Sequence, residues 1–282
     1  MTACLLRDGA RHVLGGYQDH AVPAPLAAVA EGLWFHASPP AGGMHRVLPD
    51  PSVNLVFRCV RAADGRAEAP RLSVIGPQRR PVVFRFESGH EIAGVRVKLE
   101  WARYLLGLDP ADYADQERVV DTAQVRVPPW LLETLARTQA PWEAAVILAG
   151  ALAARSGRLA ERPTGGPRSA APALDLVRAT GGRIRVETVA GRLGVSLRQL
   201  RRTVRAESAL SLKAYARMTR FNAAMALADG VLRPAWSRVA ADAGYCDQSH
   251  LVRECRALTG LAPARLHRER RAQADLSKTG RG

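Results

Sequence analysis

The chain has 282 residues, with 41 Lys and Arg against 26 Asp and Glu, a formal net charge of +15, and 47% hydrophobic residues. That apolar fraction excludes disorder throughout, and four cysteines in this length exclude a disulfide-built scaffold, which points to a reducing compartment. The longest apolar run, 144–154, falls far short of the roughly 20 residues that span a bilayer, and no basic-then-apolar leader pattern is seen, so a cytoplasmic location with no membrane partner is expected.

In chain order, residues 53–60, 71–75, 81–87 and 91–99 are short runs rich in Val, Ile, Leu and Phe, separated by Gly, Pro and Asp. This is the pattern of antiparallel strands. Alternation is clear in Val82, Phe84 and Phe86, and in Ile92, Val95, Val97 and Leu99 around an interruption at Gly94. From Trp101 the period changes, and 101–106, 129–138 and 142–155 read as helices, with prolines at the starts of the last two. Residues 1–160 are therefore expected to form an antiparallel β domain, open or barrel-like, followed by a helical pair. Leu131, Leu132, Leu135, Val146, Ile147, Leu148 and Leu152 of that pair suit a dimer interface and an internal contact equally.

Residues 161–169, rich in Pro, Gly and small polar side chains, read as a linker. Beyond it, 170–272 read as an all-α domain, helical almost throughout. A helix over 173–180 stops at Gly181-Gly182, and one over 186–193 stops at Gly194. Ser196 is a good N-cap for the next. Residues 212–229 and 235–243 follow, and a last helix starts near Asp247 and runs to Thr259. Residues 273–282 are expected to be a flexible tail. The fold class is α+β, an antiparallel domain linked to an all-α one.

The charge is unevenly placed. Residues 1–166 hold 19 basic and 17 acidic side chains, net +2, whereas 167–282 hold 22 and 9, net +13. Such asymmetry is that of a polyanion-binding module attached to a near-neutral domain. Within the basic half, Val189-Ala190-x-x-x-Gly194 repeats as Val239-Ala240-x-x-x-Gly244, 50 residues on. Each copy is a short apolar helix, a glycine turn and a following amphipathic helix, the helix-turn-helix arrangement whose second helix enters the major groove. In the first copy Leu197, Leu200 and Val204 form the apolar face and Arg198, Arg201, Arg202 and Arg205 take the rest. In the second, Leu251, Cys255 and Leu258 are apolar, leaving Gln248, His250 and Arg253 toward the groove and Arg256 toward a phosphate.

On these residues, with Ser196, Leu200, Arg202, Tyr215, Arg220, Ala224, Ala240, Gly244, Ser249, Leu251, Arg253, Gly260 and Pro263, the segment 170–270 resembles the DNA-binding domain of the AraC/XylS family of bacterial transcription regulators. The resemblance implies two helix-turn-helix units joined by one long helix over 212–229. It also implies asymmetric recognition by one protomer. It departs from the family pattern at Val204, Leu251 and Cys255, where aromatics are usual, at Ala209, where glycine is common, and at Ala262, where a hydroxyl residue usually precedes Pro263. Base contacts are expected from Arg198, Arg201, Arg202, Gln248, His250 and Arg253. Phosphate contacts are expected from Ser196, Arg205, Lys213, Arg217, Arg220, Ser249, Arg256 and Arg268, which set affinity but not sequence.

The N-terminal half is less specific. Residues 46–57, Ile75-Gly76-Pro77-Gln78 and 92–107 are similar to sensor-like domains attached to a subset of these regulators, with no defined ligand. Trp34, Phe57, Phe84 and Phe86 are candidates for an effector pocket. His36, His45 and His90 lack the close spacing of a metal site, and neither Cys4 with Cys59 nor Cys246 with Cys255 makes a zinc pattern. No metal, cofactor or catalytic constellation is expected. The expected partners are double-stranded DNA and a small-molecule effector, with RNA polymerase if the protein activates and a second copy if it dimerises. Two alternatives stay open: a metal-dependent sensor or small-molecule enzyme with an accessory DNA-binding module, and a non-specific DNA-binding protein.

Overall fold

The computed structural model describes residues 10–14, 17–38, 42–159 and 169–278; Cys4 and, apart from Ser169, the expected linker lie outside them. Among the described residues, nine strands precede the helical half: β1 (Ala10–Leu14), β2 (Tyr17–His20), β3 (Ala30–Ala37), β4 (Gly43–Val47), β5 (Val53–Arg61), β6 (Ala67–Ile75), β7 (Val82–Phe86), β8 (His90–Val97) and β9 (Glu117–Val120). Seven form one sheet in the order β1-β2-β3-β8-β5-β6-β9, every neighbouring pair antiparallel, while β4 and β7 pair as a separate ribbon. β1 and β9 are opposite edges, so the sheet is open and the barrel-like alternative does not hold.

The two faces of the sheet do different things. Leu33 and Phe35 of β3, Leu55 and Phe57 of β5 and Ala93 and Val95 of β8 lie on one face, in the main core. The helix α3 (Pro141–Arg158) covers that face through Ala144, Ala145, Leu148, Ala149 and Leu152; its small alanines let it approach closely. The alternate residues, Trp34, Val56 and Ile92, face the ribbon and meet Phe84 and Phe86. Gly94 interrupts the β8 pattern for a steric reason: a Cβ there would sit 2.6 Å from the Trp34 ring.

After β8 come a short helix α1 (Ala102–Leu105) and α2 (Leu131–Ala136), which with α3 is the expected helical pair. Leu131, Leu135, Leu148 and Leu152 are all buried within the chain, so of the two readings of that pair they serve the internal contact.

Seven helices complete the described chain: α4 (Ala171–Ala179), α5 (Val186–Leu193), α6 (Leu197–Ser208), α7 (Leu212–Asp229), α8 (Trp236–Asp242), α9 (Gln248–Thr259) and α10 (Pro263–Lys278). α10 is not anticipated from the sequence and runs past residue 272, after which the sequence reads as a tail. Phe221 and Tyr215 of α7 are its largest buried side chains, each fully enclosed aromatic contributing on the order of 1.5–3 kcal/mol. One core cluster takes in residues of the sheet, α3, α4, α5, α6 and α7.

Candidate nucleic-acid interface and the cavity behind it

The first helix-turn-helix unit is α5 and α6. Gly194 ends α5 at φ +64°, the left-handed region that glycine enters at little cost. Val195 N–H returns to Ala190 O at 3.1 Å, and Ser196 Oγ accepts from Gln199 N–H at 3.1 Å to cap α6. With Leu200 and Val204 buried, Arg198, Arg201, Arg202 and Arg205 are left exposed on one basic surface. The second unit is α8 and α9. Gly244 turns at φ +78°, Tyr245 N–H returns to Ala240 O at 2.8 Å, and Asp247 Oδ1 caps α9 by accepting from His250 N–H at 2.6 Å. Leu251 and Cys255 are buried, while Gln248, Ser249, Arg253 and Arg256 are exposed. His250 is half-buried, its ring edge-on to Tyr245 at 5.2 Å.

α7 joins the units. Its 18 residues span about 27 Å at about 1.5 Å per residue, suited to recognition helices in successive major-groove faces roughly 34 Å apart. Lys213 in its first turn and Arg268 on α10 are exposed, as a phosphate role requires. Arg217 and Arg220 depart from that expectation. Arg217 Nε pairs with Glu254 Oε2 at 2.8 Å, and the Arg220 guanidinium lies 5.0 Å from the centre of the Tyr245 ring. Both hold the second unit to α7. Burial, partly offset by Arg220, pushes the Tyr245 hydroxyl up to about 12.

Behind this surface, a cavity of about 440 Å³ lies between the ribbon face of the sheet and α7. Trp34, Phe84 and Phe86 line it, together with His36 and His45. Phe57 does not. Alternation along β5 turns its ring to the opposite face, into the core under α3. The far wall comes from the helical half: Tyr215, Thr219, Asn222 and Met225 of α7, Arg178 of α4 and Arg270 of α10.

Polar contacts stitch the two walls together. Arg178 reaches Glu31 at 2.8 Å and the buried Glu100 at 2.9 Å, both from the N-terminal half, and donates to Tyr215 Oη at 2.9 Å. The guanidinium pulls the Glu100 carboxyl down, but burial dominates and leaves it raised. Asn222 Nδ2 donates to Pro49 O at 3.1 Å, and Arg46 pairs with Glu269 of α10 at 2.6 Å. Within the sheet, Arg96 is held by Asp19 and Asp50, each at 3.1 Å. Burial, with the Arg58 charge adding to it, pushes His36 down to about 4, so its ring is neutral near pH 7.

Sequence reasoning does not single out Asp19, Glu31, Arg96, Arg178 or Asn222. They come from separate strands and helices and meet only in three dimensions. The one local signal is Arg178, a lone cation near the end of the apolar α4. Among the described residues, no group of His, Cys, Asp and Glu could hold a metal ion, and no helix is long and apolar enough to cross a membrane.

Comparison with known proteins adds two family matches: a helix-turn-helix domain over residues 189–269 and a domain of unknown function, DUF6597, over residues 18–118. No curated protein matches. Among solved structures, the apo form of a lysine-to-alanine variant of ToxT from Vibrio cholerae strain SCE256 is 11% identical over 84% of this chain and 97% of that one, with a TM-score of 0.44. A 1.65 Å ToxT structure from Vibrio cholerae is 9% identical over 89% and 98%, also at 0.44. The C-terminal domain of AraT, a response regulator from Geobacillus stearothermophilus, is 22% identical over 39% and 89%, at 0.34.

Proposed function

We propose that the protein is a sequence-specific transcription regulator of the AraC/XylS family whose hold on DNA is set by a small molecule between its two halves, a reading supported by the helix-turn-helix domain match over residues 189–269. One observation carries this reading: α7 is at once the spine between the two helix-turn-helix units and a wall of the cavity. A ligand that touches Tyr215, Asn222 or Met225 touches the element that sets the spacing of the recognition helices. Differential affinity for two arrangements of α7 against the sheet shifts the population between them, and DNA affinity follows.

Base edges are assigned to Arg198, Arg201, Arg202, Gln248, His250 and Arg253, and phosphates to Ser196, Arg205, Lys213, Ser249, Arg256 and Arg268. Arg217 and Arg220 are left out because their guanidinium groups are engaged inside the domain. The reading places the protein in the cytoplasm. RNA polymerase is a further partner where the outcome is activation, and a second copy where operator sites come in pairs.

Selection of bound fragments from a random double-stranded pool, followed by competition at fixed salt, tests the DNA-binding part. The selected site is expected to bind about 10³–10⁷ times tighter than random DNA. Parity within tenfold would assign the protein to non-specific DNA binding.

A further inference from the structure

The cavity carries information about what it admits. Five arginines line it, and each is already matched by a carboxylate: Arg96 by Asp19 and Asp50, Arg178 by Glu31 and Glu100, Arg46 by Glu269, Arg270 by Asp229, and Arg58 by Glu117 in a two-point contact at 2.7 and 2.9 Å. An anionic ligand would have to displace one of these carboxylates and leave it buried beside the new charge. A cationic ligand would meet the same arginines, and the lining carboxylates Asp19, Glu31, Asp50 and Asp229 are already spent on them.

Of the lining atoms left over, Asp19 Oδ1 belongs to a carboxylate already tied to Arg96 through Oδ2, and those on His36 and Asn222 are neutral. His36 is 5% exposed, and among the described residues neither of its ring nitrogens has a hydrogen-bond partner. With its pKa held near 4, the ring presents one N–H donor and one acceptor nitrogen. On the opposite wall Asn222 uses its amide N–H toward Pro49, while its buried Oδ1 is without a partner. Unsatisfied buried polar atoms are rare in folded proteins, so two side chains carrying them on facing walls of one cavity point to a ligand. The surface around them is aromatic: the His36 and Phe86 rings lie 4.6 Å apart, Tyr17 stacks on His45 at 5.4 Å, and Trp34 lies 5.8 Å from Tyr17. Flat rings are accommodated by such walls in offset or edge-on contact.

We propose that the cavity takes an uncharged aromatic ligand carrying a hydrogen-bond donor and acceptor, its polar group held by His36 from β3 and Asn222 from α7. This rests on the cavity being the effector site, and it names the class of effector. The acceptor of the ligand takes the His36 N–H, and its donor reaches Asn222 Oδ1, so a ligand making both contacts ties the sheet to α7.

The test uses three probes of one shape and three charges, biphenyl-4-carboxamide, biphenyl-4-carboxylate and biphenyl-4-carboxamidine, titrated calorimetrically into the full chain. The carboxamide is expected to bind at least tenfold tighter than either ion. His36→Phe and Asn222→Ala are each expected to weaken it at least fivefold. Equal or tighter binding of either ion, no binding of the carboxamide, or folded variants that bind it like the parent would overturn the proposal. Should His36→Phe fail to fold, the three-probe comparison on the parent chain decides alone. Affinity for the selected DNA site is read in the same samples. A carboxamide that binds with the expected selectivity but leaves DNA affinity unchanged supports the ligand class and removes the regulatory reading.

Discussion

The two helix-turn-helix units are built to one plan and anchored differently. Their glycine turns are 50 residues apart, Gly194 and Gly244, but their caps, Ser196 and Asp247, and their helix ends, Ala209 and Gly260, are 51 apart. The second turn thus holds one extra residue. Even the end of the recognition helix repeats: Ser208 Oγ donates to Val204 O at 2.6 Å, and Thr259 Oγ1 to Cys255 O at 2.7 Å. What differs is the surroundings. Leu200 and Val204 belong to the core that continues into the sheet, and α6 packs against the 3-10 turns at Leu99–Trp101 and Pro110–Tyr113. Leu251, Val239, Ala240 and Tyr245 form a separate cluster with Ala224 and Ala228 of α7, and only Cys255 and Leu258 of α9 join the main core. One unit is fastened to the sensing half; the other is fastened mainly to α7. A shift of α7 therefore moves the second recognition helix relative to the first.

The largest expected effect tests that difference in anchoring. Leu200→Ala and Leu251→Ala each remove a buried side chain, at about 2–5 kcal/mol. Hydrogen exchange should show Leu251→Ala loosening 236–258 while β5 and β8 stay protected, whereas Leu200→Ala loosens the sheet as well. Identical exchange patterns would erase the distinction. Next in size are the base contacts. Arg202→Ala and Arg253→Ala should each weaken the selected site by about 1–3 kcal/mol and relax its sequence preference. Arg205→Ala and Arg256→Ala should instead weaken all sequences alike and lower the salt slope by about 1. Equal losses on selected and random DNA would reassign Arg202 or Arg253 to the backbone.

The smallest effect lies at the helix ends. Ala209 closes α6 at φ +58° and Gly260 closes α9 at φ +76°. A Cβ at Gly260 would meet nothing within 4 Å, so backbone conformation alone distinguishes the pair. Ala209→Gly should stabilise the chain by about 1 kcal/mol and Gly260→Ala should destabilise it by a similar amount, because left-handed backbone costs an L-residue about 1–2 kcal/mol. Denaturant midpoints that move the other way would contradict this.

The helical half is largely legible in the sequence because its signals are local. α5 and α7 fall at the residues expected, Ser196 caps as expected and α9 starts next to Asp247, since caps, glycine turns and 3.6-residue periodicity are written in adjacent residues. α10 escapes sequence reading because its residues, rich in Arg and Ala, give a weak apolar face and its only strong signal is Pro263 at the start. In the sheet, β5 to β8 are legible from their apolar runs, but β2, Tyr-Gln-Asp-His, has no alternation to find. Its order comes from pairing with β3 and from Arg96, which reaches Tyr17 and Asp19 from β8. The cavity follows the same rule. Its aromatics are visible in the sequence, whereas Phe57 is misplaced because β5 is buried on both faces and composition does not tell which face a residue takes.

Glu31 offers the sharpest test of whether contacts between the sheet and the α4–α7 wall set DNA affinity. Glu31 touches Arg178 across the boundary and lies in the N-terminal half, while Glu100 and Asp175 still hold Arg178 when the charge on Glu31 is removed. Affinity of Glu31→Gln for the selected DNA site, measured by fluorescence anisotropy at fixed salt, should differ from the parent by at least about fivefold, the lower end of typical allosteric coupling. A variant that melts like the parent and binds DNA with unchanged affinity would contradict the account.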